Sequence, residues 1–374
     1  MRFHVVSLPH TNTTLDFTAC AFTEKVRKFC MMMKSLGHTV YLYAGEDNEA
    51  PCDEHITCIT EKERLQAIGN DHYTMASFDY NLPHWRKFND NVIKAIQERS
   101  EKEDFICSIG GLAHKQIADA LPALTFVEFG IGYAGTFAKF RVFESYAWMH
   151  TVYGTSTTNA AALDGNFFDA VIPSYFEMDR FPFSAEPEDY YLFMGRLTER
   201  KGYKIAEEVC KHLGKRLIVA GQGTPPSYGE YVGVVGAEQR AKLFGGAIAS
   251  FAPTLYIEPF GSVVPEAHAC GTPTITTDWG AFTELVVNGF NGYRCRTFKE
   301  FVEATEKVKD LDRKKIHELA FSKYSLEVVA VMYDDYFKKL LTLWGDGWYS
   351  LSESNGAHDN AFPSDKKIGE INNG

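Results

Sequence analysis

The chain has 374 residues, of which 45% are hydrophobic and 23% are charged, and its formal net charge is −11. These values exclude a largely disordered or fibrous chain, and the length predicts two domains. The negative charge argues against a protein that coats nucleic acid or anionic membrane through its overall field. Residues 1–8 have the pattern of a strand rather than of a signal peptide. No apolar run approaches the roughly 20 residues that span a bilayer.

The eight cysteines contain no Cys-x-x-Cys pair and no cluster with histidine at zinc spacing. A chain of this length can bury two cores without disulfides or metal. We therefore expect reduced cysteines, no bound metal and a cytoplasmic protein.

The first half alternates short apolar strands with helical patterns, which is typical of βα units around a parallel sheet. Gly37, just after the first helical pattern, is a helix stop signal. We predict strands at 2–8, 39–44, 55–60, 105–109 and 124–128, and helices at 18–36 and 85–99.

The second half starts the same pattern again, with a strand at 190–194, a helix at 202–213 and a strand at 216–220. Residues 182–188 are polar and contain two prolines, which predicts a domain boundary there. The sequence thus predicts two similar α/β domains that face each other across a cleft, the usual ligand position in open α/β sheets.

The predicted domains are an N-terminal one over 1–183 and a C-terminal one over 184–325, followed by a helical segment over 326–349. Residues 350–374 are rich in Ser, Asn, Gly, Asp and Lys, which predicts a disordered tail.

Residues 130–135 spell G-I-G-Y-A-G, the G-x-G-x-x-G pattern of dinucleotide-binding loops. However, no helical pattern clearly begins at Gly132, and no acidic residue follows about 20 positions on to bind a ribose. A glycine loop at the edge of the cleft is the favoured interpretation.

Residues 192–202 (L-F-M-G-R-L-T-E-R-K-G) combine the end of a strand at Gly195 with cations at Arg196, Arg200 and Lys201 before a helix. Backbone amides and the positive end of that helix would face an anion. Arg196 can bind two phosphate oxygens, and Lys201 adds a point charge. A solvated basic turn would show the same pattern.

Residues 258–266 (E-P-F-G-S-V-V-P-E) hold two glutamates with seven residues between them. We expect Pro265 at the first position of a short helix, Glu266 in its first turn and Glu258 in the loop before it. Each carboxylate could accept hydrogen bonds from a vicinal diol of a sugar or ribose. The alternative is that Glu266 only compensates the helix dipole and Glu258 is an incidental surface residue.

Five segments of the chain occur in the order found in one family. They are 171–181, the basic turn, I-V-A-G-Q-G (218–223), E-P-F-G-S-V-V-P-E-A-H-A-C-G-T-P (258–273) and 277–293. The chain resembles the retaining glycosyltransferases of family 4, also called glycosyltransferase group 1. The resemblance implies the GT-B fold, an α/β architecture with two Rossmann-like β/α/β domains across a cleft and a last helix that crosses back to the N-terminal domain.

The resemblance also implies a metal-independent transfer with retention of configuration from a nucleotide diphosphate sugar, here a UDP- or GDP-sugar. On that template Arg196 and Lys201 neutralise the diphosphate, Glu266 binds the ribose, and Glu258 contacts the donor sugar. Further donor contacts are implied for Gly195, the amides of Phe260, Gly261 and Ser262, and the pair Cys20 and Ala21, which replaces the family's Gly-Gly loop.

The N-terminal half departs more from the family. Glu128 stands where many members carry a pocket histidine, and it could orient an acceptor hydroxyl or accept its proton. His114 and His150 are further candidates for the acceptor site. Sugar faces stack on aromatic rings, so the candidates for a stacking platform include Phe22, Tyr43, Trp85 and Trp148.

Three classes of function share these features. The favoured one is a hexosyltransferase of glycan biosynthesis with a saccharide or glycoconjugate acceptor. A phosphorylase or nucleotide-sugar epimerase on the same fold, and a non-catalytic protein that binds sugar nucleotides, are the alternatives. A DNA acceptor is disfavoured by the net charge of −11.

Overall fold

The computed structural model describes residues 1–69, 72–156 and 163–344, and the predicted tail at 350–374 lies outside them. The chain forms two compact units. Among the described residues, unit 1 contains those of Met1–Phe143 and Tyr153–Ile172 and those from Ala330 to 344, and unit 2 contains Glu144–Val152 and Pro173–Val329. The predicted boundary between residues 183 and 184 falls inside unit 2.

Unit 1 is built on a sheet of seven parallel strands in the order β3-β2-β1-β4-β5-β6-β7. The strands are β1 (Arg2–Val6), β2 (Thr39–Ala44), β3 (Glu54–Thr57), β4 (Phe105–Ser108), β5 (Thr125–Ile131), β6 (Phe140–Phe143) and β7 (Ala170–Val171). The helices are α1 (Ala21–Ser35), α2 (Glu61–Ile68), α3 (Pro83–Gln97) and α4 (Lys115–Ala120).

Unit 2 is built on six parallel strands in the order β10-β9-β8-β11-β12-β13. The strands are β8 (Tyr191–Met194), β9 (Leu217–Ala220), β10 (Glu230–Gly233), β11 (Ser250–Ala252), β12 (Thr274–Thr277) and β13 (Gly292–Cys295). The remaining helices of the chain are α5 (Tyr146–Ser156), α6 (Tyr203–Leu213), α7 (Ala237–Gly246), α8 (Val263–Ala269), α9 (Phe282–Leu285), α10 (Phe298–Lys307), α11 (Arg313–Tyr324) and α12 (Leu326–Leu341).

The strands and helices predicted along the chain are present, and most of their ends shift by only a few residues. The predicted helical segment over 326–349 is an α-helix as far as Leu341, and residues 345–349 lie outside the described residues. Gly37 follows α1 with φ of +78°, the left-handed conformation that ends a helix. The prediction that Pro265 occupies the first position of its helix is wrong, because α8 begins at Val263. Pro265 fits the third position as well, since the first amides of a helix have no intrahelical partner.

The last helix returns to unit 1, as the resemblance implies. The Phe337 side chain of α12 is fully buried, with its ring centroid 4.7 Å from that of Phe3 and 4.9 Å from that of Phe105. At the surface, His38 Nε2 lies 2.8 Å from a carboxylate oxygen of Asp334. These contacts join α12 to unit 1, which also contains the first strand of the chain.

The core of unit 2 lies under β8, β9 and β11, where Phe193, Val219 and Phe251 are almost fully buried. Parallel strands covered by helices on both faces read as continuous apolar runs, which explains why the sequence pattern identified them. In the part of the chain that the structure describes, none of the helices combines the length and apolar character that a membrane span requires.

Candidate active site

The candidate site lies at one edge of the unit 2 sheet. Because all six strands are parallel, the loops that follow them meet at the carboxyl edge, where open α/β sheets bind ligands. The loops that carry the predicted residues follow β8 and β11, at 195–202 and 253–262, and the loop after β12, at 278–281, packs beside them through Ala281.

Glycine allows these loops to pack closely. Gly202 has φ of +72°, and a Cβ added there would stand 2.0 Å from the carbonyl oxygen of Pro253 in the next loop. The amide of Leu255 then donates to the carbonyl of Arg200 over 2.8 Å. The turn that carries the predicted cations is thus fixed directly against the loop that carries Glu258.

Lys201 and Glu258 form an ion pair, with Nζ 2.8 Å from Oε2 and side-chain exposures of 24% and 10%. The Tyr256 hydroxyl donates to the other carboxylate oxygen over 3.1 Å, and its ring centroid lies 5.0 Å from the Lys201 ammonium. Burial opposes the charge on Lys201, but the Glu258 carboxylate outweighs it and the pKa of Lys201 is raised. Lys201 is therefore charged at neutral pH, and its charge is paired with that of Glu258.

Sequence reasoning missed Tyr256. Its only signal is an aromatic residue two positions before Glu258, and aromatic residues are common in this chain, which has 19 tyrosines. Arg200, one of the predicted cations, lies over the same ring, with Cζ 4.7 Å from its centroid.

The backbone of residues 258–262 is anchored through its carbonyls. Ala281 donates its amide to the Glu258 carbonyl over 3.0 Å, and the Ser145 hydroxyl donates to the Pro259 carbonyl over 2.6 Å. Phe260 is buried, with its ring centroid 5.9 Å from that of Tyr324. Among the described residues, no protein acceptor takes a hydrogen bond from the amides of residues 260–262, so these three donors are available to a ligand.

Glu266 lies in the first turn of α8, as predicted. Arg240 of α7 donates to Glu266 Oε2 from Nε over 2.8 Å and from Nη2. Both contacts use the same oxygen, and within the described residues Oε1 has no protein donor. Sequence reasoning missed Arg240, because it lies 26 positions from Glu266 and on a different helix.

Arg196 is exposed in the loop after Gly195, and no ion pair involves it in the part of the chain described here. The structure thus brings Lys201 and Glu258 into contact and leaves Arg196 accessible on the same loop.

Glu128 is not at an accessible edge. It lies in β5, fully buried between β4 and β6, and accepts hydrogen bonds from the amides of Phe137 and Ala138 over 2.9 and 2.8 Å and from the Tyr133 hydroxyl over 3.2 Å. Burial raises the pKa of this carboxyl group. Glu128 is enclosed because the chain after β5 folds back over it, and its role towards an acceptor hydroxyl stays a prediction.

The histidines predicted for the acceptor site are placed very differently. His114 is fully buried, with Nδ1 3.2 Å from Oδ1 of Asn89, and burial lowers its pKa to about 3. His150 is exposed on α5. His114 therefore does not line an open surface, and its contact with an acceptor stays a prediction.

Cys20 precedes α1 and is buried, with Sγ 4.0 Å from His10 Nε2, whereas Ala21 is exposed at the start of that helix. Of the aromatic residues considered as a platform, Tyr43 and Trp85 are fully buried, and Phe22 is half-buried.

Within the described residues, no group of three or more His, Cys, Asp or Glu side chains is arranged to hold a metal ion.

Residues 176–325 match the family model of the glycosyl transferases group 1. This stretch contains all four charged residues predicted in the second half, namely Arg196, Lys201, Glu258 and Glu266. The resemblance inferred from the sequence is confirmed for this part of the chain.

Two curated relatives show how far the similarity extends. The chain is 30% identical over 155 residues to a probable sucrose-phosphate synthase of Thermosipho melanesiensis, which covers 36% of each chain. It is 32% identical over 148 residues to the glycogen synthase of Mycobacterium tuberculosis, which covers 33% of this chain and 35% of the relative. The match therefore spans about a third of the length of these relatives.

Solved structures resemble the fold over a greater length. Sucrose-phosphate synthase from Thermosynechococcus elongatus superposes with a TM-score of 0.68 at 14% identity, over 91% of this chain and 100% of that one. AviGT4, a glycosyltransferase involved in avilamycin A biosynthesis, gives 0.64 at 19% identity over 91% and 98%. Anabaena HepE in complex with UDP-glucose gives 0.60 at 15% identity over 91% and 100%. The predicted fold class, two Rossmann-like domains of the GT-B type, is confirmed.

Proposed function

We propose that this chain is a retaining glycosyltransferase that transfers a hexose from a nucleotide diphosphate sugar to a hydroxyl group of a saccharide or glycoconjugate. One group of atoms carries the proposal: the Lys201–Glu258 ion pair together with the amides of residues 260–262, which donate to no protein acceptor among the described residues. This group combines a charged ammonium with unpaired backbone N–H donors, which suits an anion that develops as a diphosphate leaves. It also lies within the stretch that matches the glycosyl transferase family.

Each residue of the site has a proposed role. Lys201 and Arg196 neutralise the diphosphate, and the amides of residues 260–262 donate to phosphate or sugar oxygens. Glu266 accepts a ribose hydroxyl at Oε1, while Arg240 fixes Oε2. These cations and amides supply the charge stabilisation, so we propose that transfer requires no metal.

The proposed transfer uses one face of the sugar. The acceptor oxygen bonds to the anomeric carbon on the side from which the diphosphate leaves, the bond from that carbon to the phosphate oxygen breaks, and the same phosphate oxygen takes the proton of the acceptor hydroxyl. The configuration at the anomeric carbon is retained. The protein contributes orientation and charge stabilisation rather than a nucleophile.

UDP-glucose is the first donor to test, because HepE has been solved with UDP-glucose, and a GDP-sugar is the second. We propose a cytoplasmic site of action, in line with eight cysteines that are all free. We also propose Glu128, His114 and His150 as residues of the acceptor site. Substitution of each should change the KM for the acceptor, and an unchanged KM would exclude that residue.

The test is a melting experiment with UDP-, GDP-, ADP- and TDP-sugars, followed by transfer assays. A ligand at about 100 times its dissociation constant adds roughly 2.7 kcal/mol, which raises the melting temperature by a few degrees. We expect one nucleotide to stabilise selectively, and Glu266→Ala and Arg196→Ala to lose both that shift and most of the transfer. Near-normal turnover in both folded variants would contradict the assigned site.

A further inference from the structure

A serine from outside the family motifs contacts the candidate site. Ser145 is only 2% exposed and lies just before α5. Its hydroxyl donates to the carbonyl of Pro259 over 2.6 Å and accepts from the amide of Trp148 over 3.0 Å. The hydrogen bond from the Trp148 amide is an ordinary helix cap. The hydrogen bond to Pro259 instead joins the start of α5 to the loop between Glu258 and Phe260.

The first turn of α5 is also held from the other side. The Glu284 carboxylate accepts hydrogen bonds from the amides of Tyr146 and Ala147 over 3.0 and 2.8 Å. Glu284 belongs to α9, and the residue just before α9, Ala281, donates to the carbonyl of Glu258 over 3.0 Å. Hydrogen bonds thus connect the first turn of α5, α9 and the 258–262 loop, and the residues that form these bonds belong to unit 2.

The contact with Pro259 determines the direction of a donor in the site. The peptide bond between Pro259 and Phe260 is trans and planar, so its C=O and N–H point in opposite directions. When the Ser145 hydroxyl fixes the carbonyl, it also fixes the N–H of Phe260, one of the three amides that no protein acceptor uses within the described chain. Pro259 itself has no N–H that could anchor this peptide.

We infer that Ser145 is a positioning residue: through the Pro259 carbonyl it directs the Phe260 amide towards the diphosphate or sugar oxygens of the donor. The inference rests on the proposed function and adds to it a residue that lies 114 positions before the loop it orients. Ser145 does not contact the sugar nucleotide. In its positioning role the hydroxyl donates its proton to the Pro259 carbonyl, whereas in its capping role the hydroxyl oxygen accepts a hydrogen bond.

Two substitutions separate these roles. Ser145→Gly removes the hydroxyl but preserves most of the capping, because glycine is nearly as good an N-cap as serine, whereas Ser145→Ala removes both. Ser145→Thr retains both. Ser322→Ala is the matched control, since Ser322 also donates to a carbonyl, that of Leu319 over 2.9 Å, on the exposed helix α11.

The first measurement is the dissociation constant for UDP-glucose by calorimetry. We expect roughly three- to tenfold weaker binding in Ser145→Gly and Ser145→Ala, the size of one lost hydrogen bond, with Ser145→Thr and Ser322→Ala close to the parent protein. The second is hydrogen exchange at the amide of Ala281, which reports the order of the loop through its bond to Glu258. Exchange should be faster in Ser145→Gly and unchanged in Ser322→Ala.

Unchanged binding and exchange in Ser145→Gly, with a defect in Ser145→Ala alone, would show that Ser145 is only a helix cap and would overturn the inference. If the parent protein does not bind UDP-glucose, the proposed donor is wrong, and the exchange measurement still decides whether Ser145 orders the loop. If Ser145→Ala does not fold, Ser145→Gly still provides the test, because glycine at this position preserves most of the capping while it removes the hydroxyl.

Discussion

Lys201 and Glu258 are 57 positions apart, and their side chains meet because the loops after β8 and β11 pack at the same edge of the sheet. Both charged side chains are partly buried, so removal of one would leave the other partly buried without a partner and would destabilise the fold. The pair is a structural contact, and in the proposed function its lysine also faces an anionic ligand. Stability and activity can therefore be separated by changing one partner or both.

We predict that Lys201→Met destabilises unit 2 by about 2 kcal/mol, because the Glu258 carboxylate would be left without its cation. The double variant Lys201→Met with Glu258→Gln should recover most of that stability and none of the sugar transfer. Urea unfolding and a transfer assay measure the two effects. Lys204→Met is the control, since Lys204 pairs with Glu199 on the exposed surface and its loss should leave stability close to that of the parent. Recovery of transfer in the double variant would contradict the role of the cation.

A second prediction concerns His114, whose pKa is lowered by burial from 6.5 to about 3. As the pH falls below 6.5, the unfolded chain binds a proton that the folded protein cannot, so stability decreases towards pH 3. Between pH 7.5 and 5.5 the parent should lose about 1 kcal/mol more than His114→Gln in unfolding free energy. Exposed His150→Gln controls for the loss of a histidine. Equal pH slopes for the parent and His114→Gln would show that this imidazole does not resist protonation.

At the scale of elements, the site depends on short turns that bring strand ends and helix starts together. The basic turn between β8 and α6 touches the loop after β11 at Gly202, and the 258–262 loop is held by α9 and by the residue before α5. Sequence periodicity identified β8 and α6 correctly. It did not identify these contacts, because each joins residues that are distant in the chain.

Gly202→Ala tests the closeness of this packing. The added Cβ would overlap the Pro253 carbonyl at 2.0 Å, and the φ of +72° disfavours a side chain as well. We expect a loss of about 3 kcal/mol in unfolding free energy and a clear loss of donor binding. Gly214→Ala is the matched control, since Gly214 has φ of +61° and no atom within 4 Å of an added Cβ, so that only about 1 kcal/mol should be lost. Equal effects of the two substitutions, measured by urea unfolding, would contradict the steric argument.

At the scale of the whole molecule, the chain forms two units but does not divide into two continuous halves. Residues 144–152 group with unit 2, and the chain from Ala330 groups again with unit 1. The predicted domains included the return of the last helix to the N-terminal domain, but they placed residues 144–152 in that domain as well. The chain from Ala330 groups with unit 1 because the hydrophobic face of α12 packs there, where Tyr333 and Phe337 are fully buried.

Phe337→Ala should therefore weaken unit 1 even though Phe337 follows unit 2 in the sequence. Removing a fully buried phenylalanine costs about 3–5 kcal/mol. Hydrogen exchange should become faster at the amides of β1 and β4, whereas β8 and β11 should retain their protection. Val331→Ala, at an exposed position of the same helix, should leave both sets unchanged. Loss of protection in β8 and β11 instead would show that α12 supports the other unit.

The sequence by itself determined the order of βα units, the glycine turns, the position of Glu266 in the first turn of its helix, and the segments that resemble a glycosyltransferase family. All of these depend on neighbours along the chain: apolar periodicity, turn chemistry and motif spacing. Only the tertiary structure decided that Glu258 pairs with Lys201, that Arg240 holds Glu266, that Ser145 reaches Pro259, and that Glu128 and His114 are buried. Burial and charge pairing depend on distance through space, and residues 26 to 114 positions apart come into contact only when the sheet has formed.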